Sequence, residues 1–169
     1  MQKFVILFRG INVGGHNKLP MKSLVPILEA SGFKDIQYYI QTGNVILSSE
    51  DEPTTRIKKI ISQHFNITPE IITLNAEDFF QALSKCPYLN NEGKLVHFYF
   101  CKNTAELAME KIEKYQIESE QYSLINNIMY LYAPEGIGRS KFVANMESCL
   151  GTAVTGRNLN TINKINTML

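Results

Sequence analysis

Residues 3–18 read Lys3-Phe4-Val5-Ile6-Leu7-Phe8-Arg9-Gly10-Ile11-Asn12-Val13-Gly14-Gly15-His16-Asn17-Lys18. A run that is apolar at every position from Phe4 to Phe8 has no polar face, so it predicts a strand buried on both sides at the centre of a sheet. The glycine-rich stretch behind it predicts a loop. Beyond that, Leu24, Ile27, Leu28 and Phe33 form the apolar side of a helix with Gly32 as its stop. Pro20 suits a first turn, but Pro26 would kink a helix begun there, so the regular helix is expected after Ser23.

The same alternation continues along the chain. Ile36–Ile40 and Val45–Ser49 are strand-like runs joined through Gln41-Thr42-Gly43-Asn44, a hairpin signal. Pro53 opens a helix with Ile57, Ile60, Ile61 and Phe65 at helical spacing. Glu70–Leu74 is a short strand, and Asn75 fits the N-cap of a helix containing Phe79, Phe80 and Leu83. The order is β-α-β-β-α-β, as in split βαβ or ferredoxin-like folds. Leu95–Phe100 then starts a second round: a helix capped by Thr104 and running to about Lys114, strands Tyr122–Ile125 and Ile128–Tyr132 around Asn126-Asn127, a helix ending near Leu150-Gly151, and an extended segment before a final helix. The expected fold is therefore α+β, with duplicated ferredoxin-like halves (residues 1–86 and 94–169) packed as one compact unit.

Composition narrows the function classes. The 169 residues carry 17 Lys and Arg against 16 Asp and Glu, which excludes a globally basic protein that coats nucleic acid by charge alone. The balance hides a pattern: residues 1–48 and 139–169 each carry a net +3, and residues 49–138 carry −5. Phe4–Phe8 is too short for a secretory h-region and no stretch reaches the length of a membrane span. Cys86, Cys101 and Cys149 are odd in number and form no C-x-x-C pair, so reduced thiols and a cytoplasmic location are expected.

Several loops in the basic segments carry candidate binding chemistry. Gly10, Gly14 and Gly15 permit left-handed backbone, which turns N–H groups into a concavity that accepts an anion, with Arg9 and Lys18 adding charge. The same glycines also serve a plain strand-to-helix connection. The stretch lacks the Lys and Ser/Thr of a Walker A loop and is not G-x-G-x-x-G. Gln41-Thr42-Gly43-Asn44 offers amides to a sugar, base or peptide, or simply makes a hairpin. In Thr155-Gly156-Arg157-Asn158, Asn158 suits a cap, while Arg157 suits a phosphate, a carboxylate or a surface ion pair. Ser140, in Gly136-Ile137-Gly138-Arg139-Ser140-Lys141, fits an N-cap better than a nucleophile. His16, His64 and His97 lack ligand spacing, so no metal and no cofactor is expected; His97 reads as structural. Tyr38, Tyr39, Tyr130 and Tyr132 lie in strands, where an open sheet would let them stack bases.

Arg9-Gly10-Ile-Asn12-Val-Gly14-Gly15, Tyr39-Ile-Gln41-Thr-Gly43-Asn44-Val, Gly136-x-Gly138-x-Ser140-Lys141 and Thr155-x-Arg157-Asn158-x-x-Thr161 together resemble the bacterial domain-of-unknown-function family 1697. The resemblance runs along essentially the whole chain. It implies an α+β protein with ferredoxin-like halves and no particular activity.

These observations lead to three expectations. The first is a protein that binds an anionic small molecule, a nucleotide or other phosphorylated metabolite. Gly10, Gly14 and Gly15 would hold the anion, Arg9, Lys18 and Arg157 would neutralise it, and Asn12, Gln41, Asn44 and Asn158 would orient the rest. It requires the two basic ends to share one face. The second is an RNA-binding or ribosome-associated module, and the third a transferase-type enzyme on the same loops with His16 as base. Catalytic residues and oligomeric state are not legible.

Overall fold

The structure is a computed structural model that describes all residues 1–169. It is a mixed α+β chain with two four-stranded antiparallel sheets. Two compact units divide it: Met1–Gln81 with Lys164–Leu169, and Ala82–Asn163.

In the first unit the order is β1 (Gln2–Arg9), α1 (Met21–Ala30), β2 (Lys34–Tyr39), β3 (Asn44–Ser49), α2 (Thr54–Phe65), β4 (Glu70–Asn75) and α3 (Ala76–Ser84, which crosses the boundary after Gln81). The strand order is β2-β3-β1-β4, which puts the apolar run of β1 at the interior, hydrogen-bonded on both edges. Its alternate residues Phe4, Ile6 and Phe8 face a core built with Val45 and Leu47 of β3, Leu24 and Leu28 of α1, and Ile57 and Ile61 of α2. Val5 and Leu7 point the other way and are equally buried, which explains why the run tolerates no polar position. Each such side chain contributes about 1.5–3 kcal/mol when removed from water.

Helix α1 starts at Met21 and passes through Pro26, where a start after Ser23 was expected. Pro26 removes only one N–H from the ladder, and the tertiary packing of Met21, Leu24 and Leu28 (all fully buried) outweighs that loss. In β2, Asp35 adopts φ +51 and the register with β3 shifts between Lys34 and Gln37, so the strand begins with a bulge. The expected N-cap at Asn75 is present: its Oδ1 accepts the Asp78 N–H at 2.7 Å.

The second unit contains β5 (Val96–Cys101), α4 (Met109–Tyr115), β6 (Gln121–Ile125), β7 (Ile128–Tyr132), α5 (Lys141–Ala144), α6 (Met146–Leu150) and β8 (Val154–Asn158). Its strand order is β6-β7-β5-β8. Tyr99, Met129 and Leu131 pack with Ile112, Phe142, Met146 and Leu150. Ser140 caps α5, its Oγ accepting the Val143 N–H at 3.1 Å, and Asn158 caps the last helix, α7 (Leu159–Met168), through the Thr161 N–H at 2.9 Å. Thr104 caps nothing. Residues 104–108 stay outside the helix because the Glu106 and Ala108 N–H groups pair with the carbonyls of Leu150 and Cys149 at the end of α6, and α4 begins only at Met109. No helix is long and apolar enough to cross a membrane.

Candidate functional site

The loop after β1 is a tight hairpin. The Asn12 N–H donates to the Asn17 carbonyl at 3.1 Å and the His16 N–H to the Val13 carbonyl at 3.0 Å, with Gly14 at φ +58 and Gly15 at φ +76 on the two corner positions. Two consecutive left-handed residues are the signature of a type I′ turn, which is what the paired glycines provide. The Asn12 and His16 N–H groups are therefore turned inward to the loop, away from the expected anion concavity.

Asn12 locks this hairpin to its surroundings. Its Nδ2 donates to the carbonyls of Leu19 at 2.9 Å and Gln41 at 2.7 Å, and its Oδ1 accepts the Leu19 N–H at 2.8 Å. A side-chain amide with both donors and its acceptor engaged holds the loop and has no donor left to orient a ligand. Asn44 is likewise internal: it is fully buried, with Nδ2 on the Tyr39 carbonyl at 2.9 Å and on Thr42 Oγ1 at 3.3 Å. Gly43 has no room for a side chain, since a Cβ there would stand 2.7 Å from Ile11 Cδ1 and 2.8 Å from Phe8 Cβ. Arg9 is half-buried and sits opposite Glu70 in the β1–β4 register, a cross-strand pairing of opposite charges.

Around these fixed points a shallow depression of about 300 Å³ opens, lined by Asn12, Gly15, Lys18, Pro20 and Gln41. At its edge is the N-terminus of α1. The N-cap residue, Pro20, has no side chain able to accept a hydrogen bond, so the Met21 N–H turns to Gln41 Oε1, at 3.3 Å. That cap was missed from the sequence, although a proline at the N-cap is itself a signal that the helix must find an acceptor elsewhere. Lys18 is exposed and makes no ion pair, and Gly10, Gly14, Gly15 and His16 are solvent-exposed around it.

Arg157 and Asn158 belong to the second unit. Arg157 lies on the edge strand β8 opposite Phe98, half-buried, with Nη1 donating to the Gly156 carbonyl at 2.8 Å. Loss of solvent lowers its guanidinium to about 10, still protonated at neutral pH. The glycine beside it is explained by packing: a Cβ on Gly156 would stand 2.8 Å from the Tyr99 ring. Tyr130 is 1% exposed and its hydroxyl donates to the Ala82 carbonyl at 2.6 Å, which takes it out of any base-stacking surface; Tyr38 is exposed.

The sequence model of the family described as "Protein of unknown function (DUF1697)" matches residues 1–130, which include the Arg9–Gly15 and Tyr39–Val45 motifs. Among solved structures, the chain is similar to a protein described as conserved bacterial protein SP0830 from Streptococcus pneumoniae. The two are 23% identical over 99% of this chain and 98% of that one, with a TM-score of 0.73, a likeness of fold. No curated protein matches the chain. With a family model matching well over half of its length, the chain belongs to the DUF1697 family.

Proposed function

We propose that the protein binds an anionic small molecule, of the nucleotide or phosphorylated-metabolite class, in the depression between the Gly14–Gly15 hairpin and the start of α1. The observation that carries this is the start of α1: the Met21 N–H has only the long 3.3 Å contact to Gln41 Oε1, and it opens beside the unpaired Lys18. An anion oxygen replacing Gln41 Oε1 would meet the Met21 N–H, the positive end of the macrodipole and the Lys18 ammonium together. Gln41 Nε2 has no partner within the protein and would then donate to the same ligand. Lys18, Gln41, Gly15 and Gly14 are the proposed contacts, with Asn12 as the residue that holds them in place.

A thermal-shift screen of the full chain against nucleotides, sugar phosphates and inorganic phosphate tests this. A ligand at about 100 times its dissociation constant stabilises by about 2.7 kcal/mol. The proposal expects such a shift in the native chain and a smaller one in Lys18→Ala; an absence of any anion-dependent shift defeats it.

The two units are also proposed to be ferredoxin-like halves of one duplicated chain. The first runs β-α-β-β-α-β and the second follows the same order with its second helix broken into α5 and α6, and the order β2-β3-β1-β4 recurs as β6-β7-β5-β8. Three free cysteines support placing the protein in a reducing compartment, the cytoplasm.

A further inference from the structure

The second unit contains a larger cavity, of about 530 Å³, that the function proposed above does not use. Its walls come from the end of α4 with the turn behind it and from the loop leading into α5. Lys114, Arg139 and Lys141 all line it. None of the three is ion-paired; Lys114 Nζ sits 5.3 Å over the Tyr115 ring.

The two carboxylates in the same wall are already engaged. Glu120 is 4% exposed and accepts the Ser140 hydroxyl at 2.6 Å and the Ile117 N–H at 3.0 Å. Glu135 accepts the Ser119 hydroxyl. Ser140 in turn has its hydroxyl proton on Glu120 and a lone pair on the Val143 N–H, so it fixes the loop instead of facing a ligand. Both carboxylates keep their charge in these bonds, so the lining sets three cations against two anions, and the unpaired Lys114, Arg139 and Lys141 are left to meet a ligand, with Tyr115 and Ile117 as apolar wall.

The glycines of this loop separate into two kinds. Gly136 adopts φ +80, which calls for glycine. Gly138 has no such backbone, and a Cβ there would meet nothing within 4 Å. Of the two, only Gly136 lines the cavity.

We propose that this cavity binds a phosphomonoester carrying a flat, partly apolar body, the form a nucleoside monophosphate presents. Arg139 offers a fork suited to two phosphate oxygens, and Lys141 and Lys114 supply point charges around it. Tyr115 and Ile117 cover the body of the ligand. The volume lies within the roughly 300–1,000 Å³ of small-molecule sites. The site is independent of the depression at Lys18.

Isothermal titration of the full chain with adenosine monophosphate, adenosine and inorganic phosphate, in the native form and in Arg139→Gln, Lys141→Gln and Lys18→Ala, tests the site. The expected result is a monophosphate-binding event that weakens at least tenfold in Arg139→Gln and Lys141→Gln and persists in Lys18→Ala, with adenosine and phosphate alone each binding more weakly. A further variant, Lys114→Gln on the exposed helix, is expected to lose affinity with an unfolding curve like the native chain's. Absence of monophosphate binding overturns the proposal. So does affinity indifferent to all three cavity variants, equal binding of adenosine, or binding lost only in Lys18→Ala, which would leave the Lys18 site standing alone.

Discussion

Asn12 Nδ2 donates to the main-chain carbonyl of Gln41 at 2.7 Å, tying together two loops 29 residues apart. With its two bonds to Leu19, this one side chain sets the distance between the glycine hairpin, the β2–β3 turn and the start of α1. Because Gln41 then caps Met21, the geometry of the proposed anion site depends on Asn12 without Asn12 touching the ligand.

Asn12→Ala is expected to cost about 2–3 kcal/mol, from three lost hydrogen bonds at about 0.5–1.5 kcal/mol each. Alanine also has to adopt the φ of +54 held by Asn12. Asn12→Gly removes the same bonds without that strain and should be about 1 kcal/mol less harmful. Urea unfolding of both variants checks the difference; equal losses would mean the left-handed backbone is not maintained.

Gly43→Ala and Gly156→Ala separate two reasons for glycine. At Gly43 a Cβ would collide with Phe8 and Ile11 while the backbone holds φ +95, and a loss of about 3 kcal/mol or more is expected. At Gly156 the obstacle is the Tyr99 ring alone, with ordinary backbone, and about 1–3 kcal/mol is expected. Chemical denaturation that ranked Gly156→Ala as the worse variant would contradict this assignment.

His97 provides a pH dependence. It is 7% exposed, its Nε2 has no partner, and burial lowers its pKa below the usual 6.5. The unfolded chain therefore takes up this proton near pH 6.5 while the folded one does not. Stability should fall as pH drops from about 7 through 6.5 toward the folded pKa, by at most about 1.4 kcal/mol per pH unit. His97→Leu should flatten that part of the profile; a native curve level between pH 7 and 5.5 would show that the ring is not buried neutral.

Tyr99 carries a buried hydroxyl without a hydrogen-bond partner, and burial together with the nearby Glu120 pushes its pKa well above 10. Removing an unsatisfied buried group gains stability, so Tyr99→Phe should raise the unfolding free energy by about 1 kcal/mol. A decrease in thermal or urea stability would show that the hydroxyl has a partner in solution.

The elements were legible wherever burial is one-sided or complete. The unbroken run of β1, the helical spacing of Ile57, Ile60 and Ile61, and the caps at Asn75, Ser140 and Asn158 depend on neighbours close in sequence. Thr104 misled because its segment pairs with the end of α6, more than 40 residues on, and no local signal records that. Similarly, an asparagine in a loop looks the same whether it faces a ligand or, like Asn12 and Asn44, holds a turn closed. The cavity of the second unit was invisible for a related reason. Lys114 reads as one charge on a solvated helix face, and only the packing of α4 beside the α5 loop brings it to the wall that Arg139 also lines.

The most direct test of anion binding is the amide spectrum of the full chain titrated with inorganic phosphate and nucleotides at constant ionic strength. Binding at the start of α1 predicts saturable shifts of the Gly15 and Met21 amides, absent in Lys18→Ala. Amides at Gly15 and Met21 that stay unmoved by every anion would contradict it.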